Sequence, residues 1–262
     1  MIDIGVNLTS TRFDKDRSAV IERAKLANIN GLLVTGTNVT ESQKALSFCH
    51  EHSPFLACTA GVHPHDADQV EDNFIEQLRE LAKHHYVKAI GECGLDFNRN
   101  FSTPKNQQQV FAQQVTLASE INLPLFLHQR DAFQPWFEIL KPYIGKIPAM
   151  VSHCFTGDLS QLKQCLDADM YIGITGWLCD ERRGQILREI VKYIPLERLL
   201  IETDAPYLMP RSIRPKPKSS RNEPSYLPYV VAALAELTPY SASEIMHSTY
   251  QNAQHVFAWQ IQ

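Results

Sequence analysis

The chain reads as an α/β protein, a closed (β/α)8 TIM barrel, on three observations. Short apolar runs recur, and each is followed by a stretch whose apolar residues fall three or four apart, the period of a surface helix. The runs are nearly all apolar rather than alternating, as strands buried on both faces of a parallel sheet are, and such strands are joined by right-handed helical crossovers. Eight such units in 262 residues suit a closed barrel, whereas the Gly-rich phosphate turns typical of open nucleotide-binding sheets, G-x-G-x-x-G or G-x-x-x-x-G-K-[ST], are absent. Residues 1–262 are therefore expected to form one barrel domain.

The first strand is predicted over Ile2 to Leu8, followed by a helix from Asp14 that turns Val20, Ile21, Ala24 and Ala27 inward. Gly31 to Gly36 is the second strand, and Thr40 with Gln43 has the spacing of a capping box for a helix carrying Ala45, Leu46, Phe48 and Cys49. Phe55 to Gly61 is the third, with a helix from about Asn73 to His84. The fourth runs from Val87 to Glu92, and Thr103 with Pro104 opens a long helix through Val110, Phe111, Val115, Ala118 and Ile121. Leu125 to His128 precedes a helix over Phe133 to Leu140. Met150 to His153 precedes one capped by Asp158. Tyr171 to Ile174 precedes Ile186 to Ile194, and Leu199 to Glu202 precedes helical sequence after Pro224. Pro206 to Pro228, rich in proline and basic residues, reads as a long loop on the last connection.

Composition narrows the function. Hydrophobic residues at 44% and charged residues at 21% exclude a disordered or fibrous chain, and at this size no disulfide or structural metal is needed to hold a core. Twenty-five Lys and Arg against 29 Asp and Glu give a charge of -4, so a polyanion would need a local basic patch. Six cysteines without a C-x-x-C pair suit reduced thiols. With neither a signal-peptide start nor an apolar run of ~20 residues, the expectation is a cytoplasmic protein without a membrane segment. A monomer is expected.

Residues able to bind metal sit at the ends of predicted strands: Glu92, His128, His153 and Asp204. Active sites of barrels lie at that end. One such residue alone is an ordinary polar strand terminus, but four at one level can hold a divalent cation and leave a position open for water, as catalytic sites do. Gly61-Val62-His63-Pro64-His65 follows the third strand. It is either a proline-fixed turn with exposed histidines, or it brings His63 or His65 to the mouth as phosphate ligand or proton donor.

These motifs, GVHPH at 61–65, IGECGLDF at 90–97, LHQRDA at 127–132, HCFTG at 153–157, IETDAPYL at 201–208 and RNEP at 221–224, resemble the TatD-type metal-dependent deoxyribonucleases of the amidohydrolase-like barrel superfamily. The resemblance spans nearly the whole chain. It implies a metal-dependent hydrolase barrel in which Glu92, His128 and His153 bind a divalent metal and Asp204 is a further metal-facing carboxylate and general base. Where most of that family have H-x-H on the first strand, this chain has Gly5 and Asn7. One tight metal is therefore expected, with a second only weakly held and its shell completed by Asp204 and Glu202 or His63. The IDIGVNLT stretch resembles the subgroup for which the family is named. That implies a 3′-5′ exonuclease on single-stranded DNA, also able to use RNA, with Mg²⁺ as working metal; DNA repair and nucleotide scavenging both fit such an activity. Histidine ligands would also accept Zn²⁺ or Mn²⁺.

Arg211, Arg214, Lys216, Lys218 and Arg221 crowd a stretch whose only acid is Glu223. Alone this reads as a solvated charge run; beside a metal site it becomes a phosphate-binding rim, which Arg130 could join. Phe97, Phe101, Phe155, Trp177 and Tyr207 are candidates for base stacking, although packing explains each as well. Cys93 and Cys154 flank the proposed ligands and are expected to point away from them. No G-x-S-x-G supports a serine hydrolase. Two rivals remain: the same barrel hydrolysing a small amide, lactone or phosphoester, and a non-enzymatic binding protein.

Overall fold

The computed structural model describes residues 1–260; the last two residues of the expected domain lie outside them. Eight parallel strands pair in sequence order: β1 (Ile2–Val6), β2 (Gly31–Val34), β3 (Leu56–Ala60), β4 (Val87–Asp96), β5 (Leu125–Arg130), β6 (Met150–Ser152), β7 (Tyr171–Ile174) and β8 (Leu199–Ile201). The sheet closes where β8 meets β1. Val6 bridges Ala205, Asp204 N donates to Gly5 O at 2.8 Å, and Asn7 N donates to Ala205 O at 2.8 Å. Helices α1 (Arg17–Leu26), α2 (Val39–His52), α3 (Phe74–Leu81), α4 (Pro104–Ile121), α5 (Phe133–Leu140), α6 (Leu159–Asp167) and α7 (Gln185–Ile190) occupy the connections, and α8 (Leu227–Leu237) and α9 (Ala242–Val256) follow β8. This is the TIM-barrel architecture that the strand-helix alternation predicts.

Two apolar clusters hold it together. The larger lies between sheet and helices, and includes Val20, Ile21, Phe111, Trp136 and Leu234. The smaller draws on every strand (Ile2, Ile4, Leu33, Ala57, Ala89, Phe126, Val151, Tyr171, Leu200) and fills the barrel. It continues into Val256, Phe257 and Trp259, which seal the end where the strands begin; Trp259 Nε1 donates to Pro54 O just before β3 at 3.3 Å. With that end plugged by apolar side chains, polar chemistry is confined to the other.

Several boundaries differ from expectation for local reasons. α2 is capped by Asn38, whose side chain accepts from Glu41 N at 2.8 Å, so Thr40 lies within the first turn instead of capping it. β4 runs past Glu92 to Asp96 because Gly91 and Gly94, at φ of +141° and +149°, let it lie against β5; a Cβ on either would overlap the carbonyl oxygen of Phe126 or His128. The segment after β8 is irregular only to Glu223, because Pro224 opens a 3-10 turn that leads into α8. α7 stops at Ile190, and the rest of the expected helix is a 3-10 turn.

Candidate active site

Glu92 lies within β4 and is 5% exposed. Three imidazoles converge on its Oε1: His128 Nδ1 at 2.8 Å, His63 Nε2 at 3.4 Å and His153 Nε2 at 3.4 Å. β5 carries His128, the residue after β6 is His153, and His63 caps a 3-10 turn over Pro64–Gln69. Burial alone would raise the Glu92 pKa, but the charges of His63 and His153 and the bonds from His128 and His153 outweigh it and hold the carboxyl well below its ordinary value. Glu92 is therefore an anion at the centre of the site.

The hydrogen bonds fix which nitrogens are free. His128 Nδ1 faces Glu92 and carries the proton, which leaves Nε2 a bare lone pair, buried and without a hydrogen-bond partner. Burial, with His63 nearby, lowers the His128 pKa to about 4, so that lone pair persists at neutral pH. An unpartnered buried nitrogen beside an ionised carboxylate suits a bound cation. His63 Nδ1 accepts from His65 N at 3.1 Å, which puts the His63 proton on Nε2. So although His63, Glu92 and His128 offer ligand atoms within 4.8 Å of one another, His63 presents an N–H as a proton donor would. His153 is driven the other way: burial would lower its pKa, yet Glu202 and Glu92 raise it well above the ordinary value.

Asp204, after β8, sits in the left-handed region at φ +54° and accepts from Asn7 Nδ2 at 2.9 Å through Oδ1. Burial raises its pKa, His153 opposes, Glu92 and Glu202 add to it and Asn7 subtracts; the net value is about 8. Asn7 thus serves Asp204 as a donor. Glu202 does not supply a free ligand, because its two oxygens accept from His153 Nδ1 at 2.5 Å and Cys154 N at 2.6 Å. Cys154 corrects an expectation: it lines the cleft instead of pointing away, since its φ of +46° breaks the strand alternation just after β6. Burial pushes its thiol up to about 12, so it offers no thiolate.

His65 Nε2 lies 2.6 Å from Asp96 Oδ2 at the end of β4. Above these residues opens a cleft of about 1660 Å³, lined by His63, His65, His128, His153, Asp204 and several cations. Arg12, Arg99, Arg214 and Lys216 face it, and no carboxylate among the described residues forms an ion pair with them. Arg130, also in the lining, has only Asp131 at 3.9 Å. Arg211 lines the cleft too, but donates to Asp180 at 2.9 Å. Arg221 is not brought to the cleft. It is clamped on Asp16 at 2.7 Å and Glu223 at 2.7 Å, with Arg23 bound to the same two acids, so its charge is already matched. Sequence reasoning missed Arg12 and Arg99, whose signal was their place on the loops after the first and fourth strands. Among the aromatics, Phe101 is 65% and Tyr207 52% exposed in the cleft, Trp177 is flanked by Arg130 and Arg183, and Phe155 is buried and unable to stack on a base.

Comparison with known proteins decides the family. The model of the TatD related DNases matches residues 2–258. The chain belongs to this family. A TatD relative from Pectobacterium atrosepticum, named 3′-5′ ssDNA/RNA exonuclease TatD, is 52% identical over 98% of this chain and 99% of its own length. One of the same name from Escherichia fergusonii is 51% identical over 98% of each. Among solved structures, YJJV, a TatD homologue from Escherichia coli, superposes with a TM-score of 0.89 at 28% identity, covering 98% of both chains. A phosphotriesterase homology protein from Escherichia coli, at 13% identity and a TM-score of 0.65, shares the barrel over 97% of this chain and 96% of its own. TatD membership implies use of a divalent metal, for which the His-Glu cluster is a candidate site. No helix among the described residues is long and apolar enough to cross a membrane.

Proposed function

We propose that the chain is a 3′-5′ exonuclease on single-stranded DNA and RNA, built as one barrel domain and acting as a cytoplasmic monomer in DNA repair. The observation that carries the reading is the unpartnered, buried His128 Nε2 beside ionised Glu92, at the floor of a cleft walled by unpaired cations. Glu92, His128 and His153 would hold a divalent cation with Asp204 beside them; Mg²⁺ is the working metal, and the imidazoles admit Mn²⁺ or Zn²⁺. When bound, the cation supplies positive charge that polarises a phosphoryl oxygen and acidifies water.

The chain's own groups do the rest. Asp204, which burial would keep protonated at neutral pH and which the charge of a bound cation would ionise, would take the proton from attacking water at its free oxygen. His63 presents Nε2–H to the leaving 3′-oxygen, and His65, held by Asp96, stands beside it at a ring separation of 4.2 Å. Arg130 and the unpaired cations grip the backbone phosphates, while Phe101 and Tyr207 offer faces to unpaired bases.

A 5′-labelled oligonucleotide incubated with Mg²⁺ tests this. The expected product is a ladder that shortens one nucleotide at a time and disappears with EDTA. Internal cuts, release of the 5′ label first, or activity that survives EDTA would overturn it.

A further inference from the structure

We infer that Glu202 is the residue that positions His153: its buried carboxylate, seated in space left by two glycines, fixes the direction of the His153 ring and fills the ground beside it. Glu202 follows β8 and is fully buried. Oε2 accepts from His153 Nδ1 at 2.5 Å, and Oε1 accepts from Cys154 N at 2.6 Å. One side group thus holds both the ring and the backbone just after β6.

The seat exists because residues 5 and 173 lack side chains. A Cβ on Gly5 would overlap Glu202 Oε2 and come within 3.3 Å of His153 Nδ1, and a Cβ on Gly173 would overlap Glu202 Oε1. With Nδ1 engaged, the other ring nitrogen, Nε2, is the one directed at Glu92 Oε1, 3.4 Å away. A carboxylate bound to the far nitrogen of a metal-binding imidazole sets its tautomer and orientation. A side chain at residue 5 therefore requires the Glu202 carboxylate to shift from its seat against His153 Nδ1.

This rests on the reading of Glu92, His128 and His153 as a cation site, so the experiment begins with wild type. Metal-free protein is titrated with Mn²⁺ by calorimetry, and Glu202→Gln and Gly5→Ala are compared after far-UV circular dichroism confirms their fold. Each folded variant should bind Mn²⁺ about 10–100-fold more weakly. At saturating Co²⁺ the visible absorption bands of both variants should shift, since a turned imidazole alters the ligand field. Wild type that binds no Mn²⁺ would sink the site reading and this inference together. Tight wild-type binding with unchanged affinity and spectrum in either folded variant would overturn this inference alone. Loss of the fold in both variants would make Glu202 a structural buried charge and also overturn it.

Discussion

Replacing Asp3 by Asn should shift stability in the variant's favour as pH rises from about 4 to about 7, the interval over which the buried aspartate costs the native protein stability. Asp3 is fully buried in β1, where it accepts from Thr203 Oγ1 at 2.5 Å, Thr203 N at 2.9 Å and Gly5 N at 3.3 Å. Burial outweighs these bonds and, with Glu202 adding repulsion, raises its pKa from 3.8 to about 7. Asparagine keeps one oxygen for the two N–H donors and turns its amide to the threonine hydroxyl, which can accept. The folded state holds the proton more tightly than the unfolded chain, so the group's contribution to stability is full below about pH 4 and is lost as pH rises through about 7. At about 1.4 kcal/mol for each pH unit, the loss approaches 4 kcal/mol. Asp3→Asn escapes it. Urea unfolding of both metal-free proteins, at several pH values from about 4 to about 8, should show the difference in stability moving toward the variant by up to about 4 kcal/mol. A difference that stays flat across that range would show that Asp3 ionises as easily in the fold as outside it, and would refute the argument from burial.

Three further outcomes follow from the site. Alanine at Glu92, His128 or His153 should abolish hydrolysis and lower bound metal, measured together by activity and metal analysis; a fully active variant is not a ligand. Asp204→Asn keeps the bond to Asn7 but loses the base, so turnover should fall by about 10²-fold or more in a variant that stays folded, and wild-type turnover would assign the proton to another acceptor. Neutralising Arg12, Arg99, Arg214 and Lys216 should flatten the salt dependence of oligonucleotide binding by up to about 3 in log-log slope. By contrast, Arg221→Ala should leave that slope alone and cost about 1 kcal/mol of stability, because Arg23 still holds both Asp16 and Glu223.

The parts of the molecule legible in the sequence are those governed by local pattern. Strands buried on both faces announce themselves as apolar runs, and Glu92, His128 and His153 stood out because a polar side group in or after such a run is conspicuous. What escaped depended on partners distant in the chain. Arg221 looked available because the acid that claims it, Asp16, is 205 residues away. Glu202 looked like one more carboxylate near the mouth, since nothing local says that Gly5 and Gly173 clear its seat. Cys154 escapes the expectation because strand alternation does not extend two residues beyond β6, where the backbone is left-handed. The apolar run that marks β4 in the sequence ends at Glu92, whereas in the barrel the strand goes on to Asp96 because Gly91 and Gly94 permit close approach to β5.

The same separation between local and distant partners resolves how a chain of net charge -4 can attract a polyanion. Exposed charges act over about 10 Å at 0.1 M salt, so a phosphate in the cleft responds to the walls and hardly at all to the far surface. Within the crowded basic stretch after β8 the charges divide: Arg211 and Arg221 are matched by Asp180, Asp16 and Glu223, whereas Arg214 and Lys216 are not. Arg12 and Arg99, reaching the cleft from other loops, are also without carboxylate partners. Matched pairs fix the shape of the loop and add little field, while the unmatched cations supply the field and are free to exchange counterions for phosphates. On the proposed reading, the affinity for a single strand is set by the unmatched cations on the wall. A count of lysines and arginines in the loop overstates it where pairs are closed, and understates it where Arg12 and Arg99 enter from elsewhere.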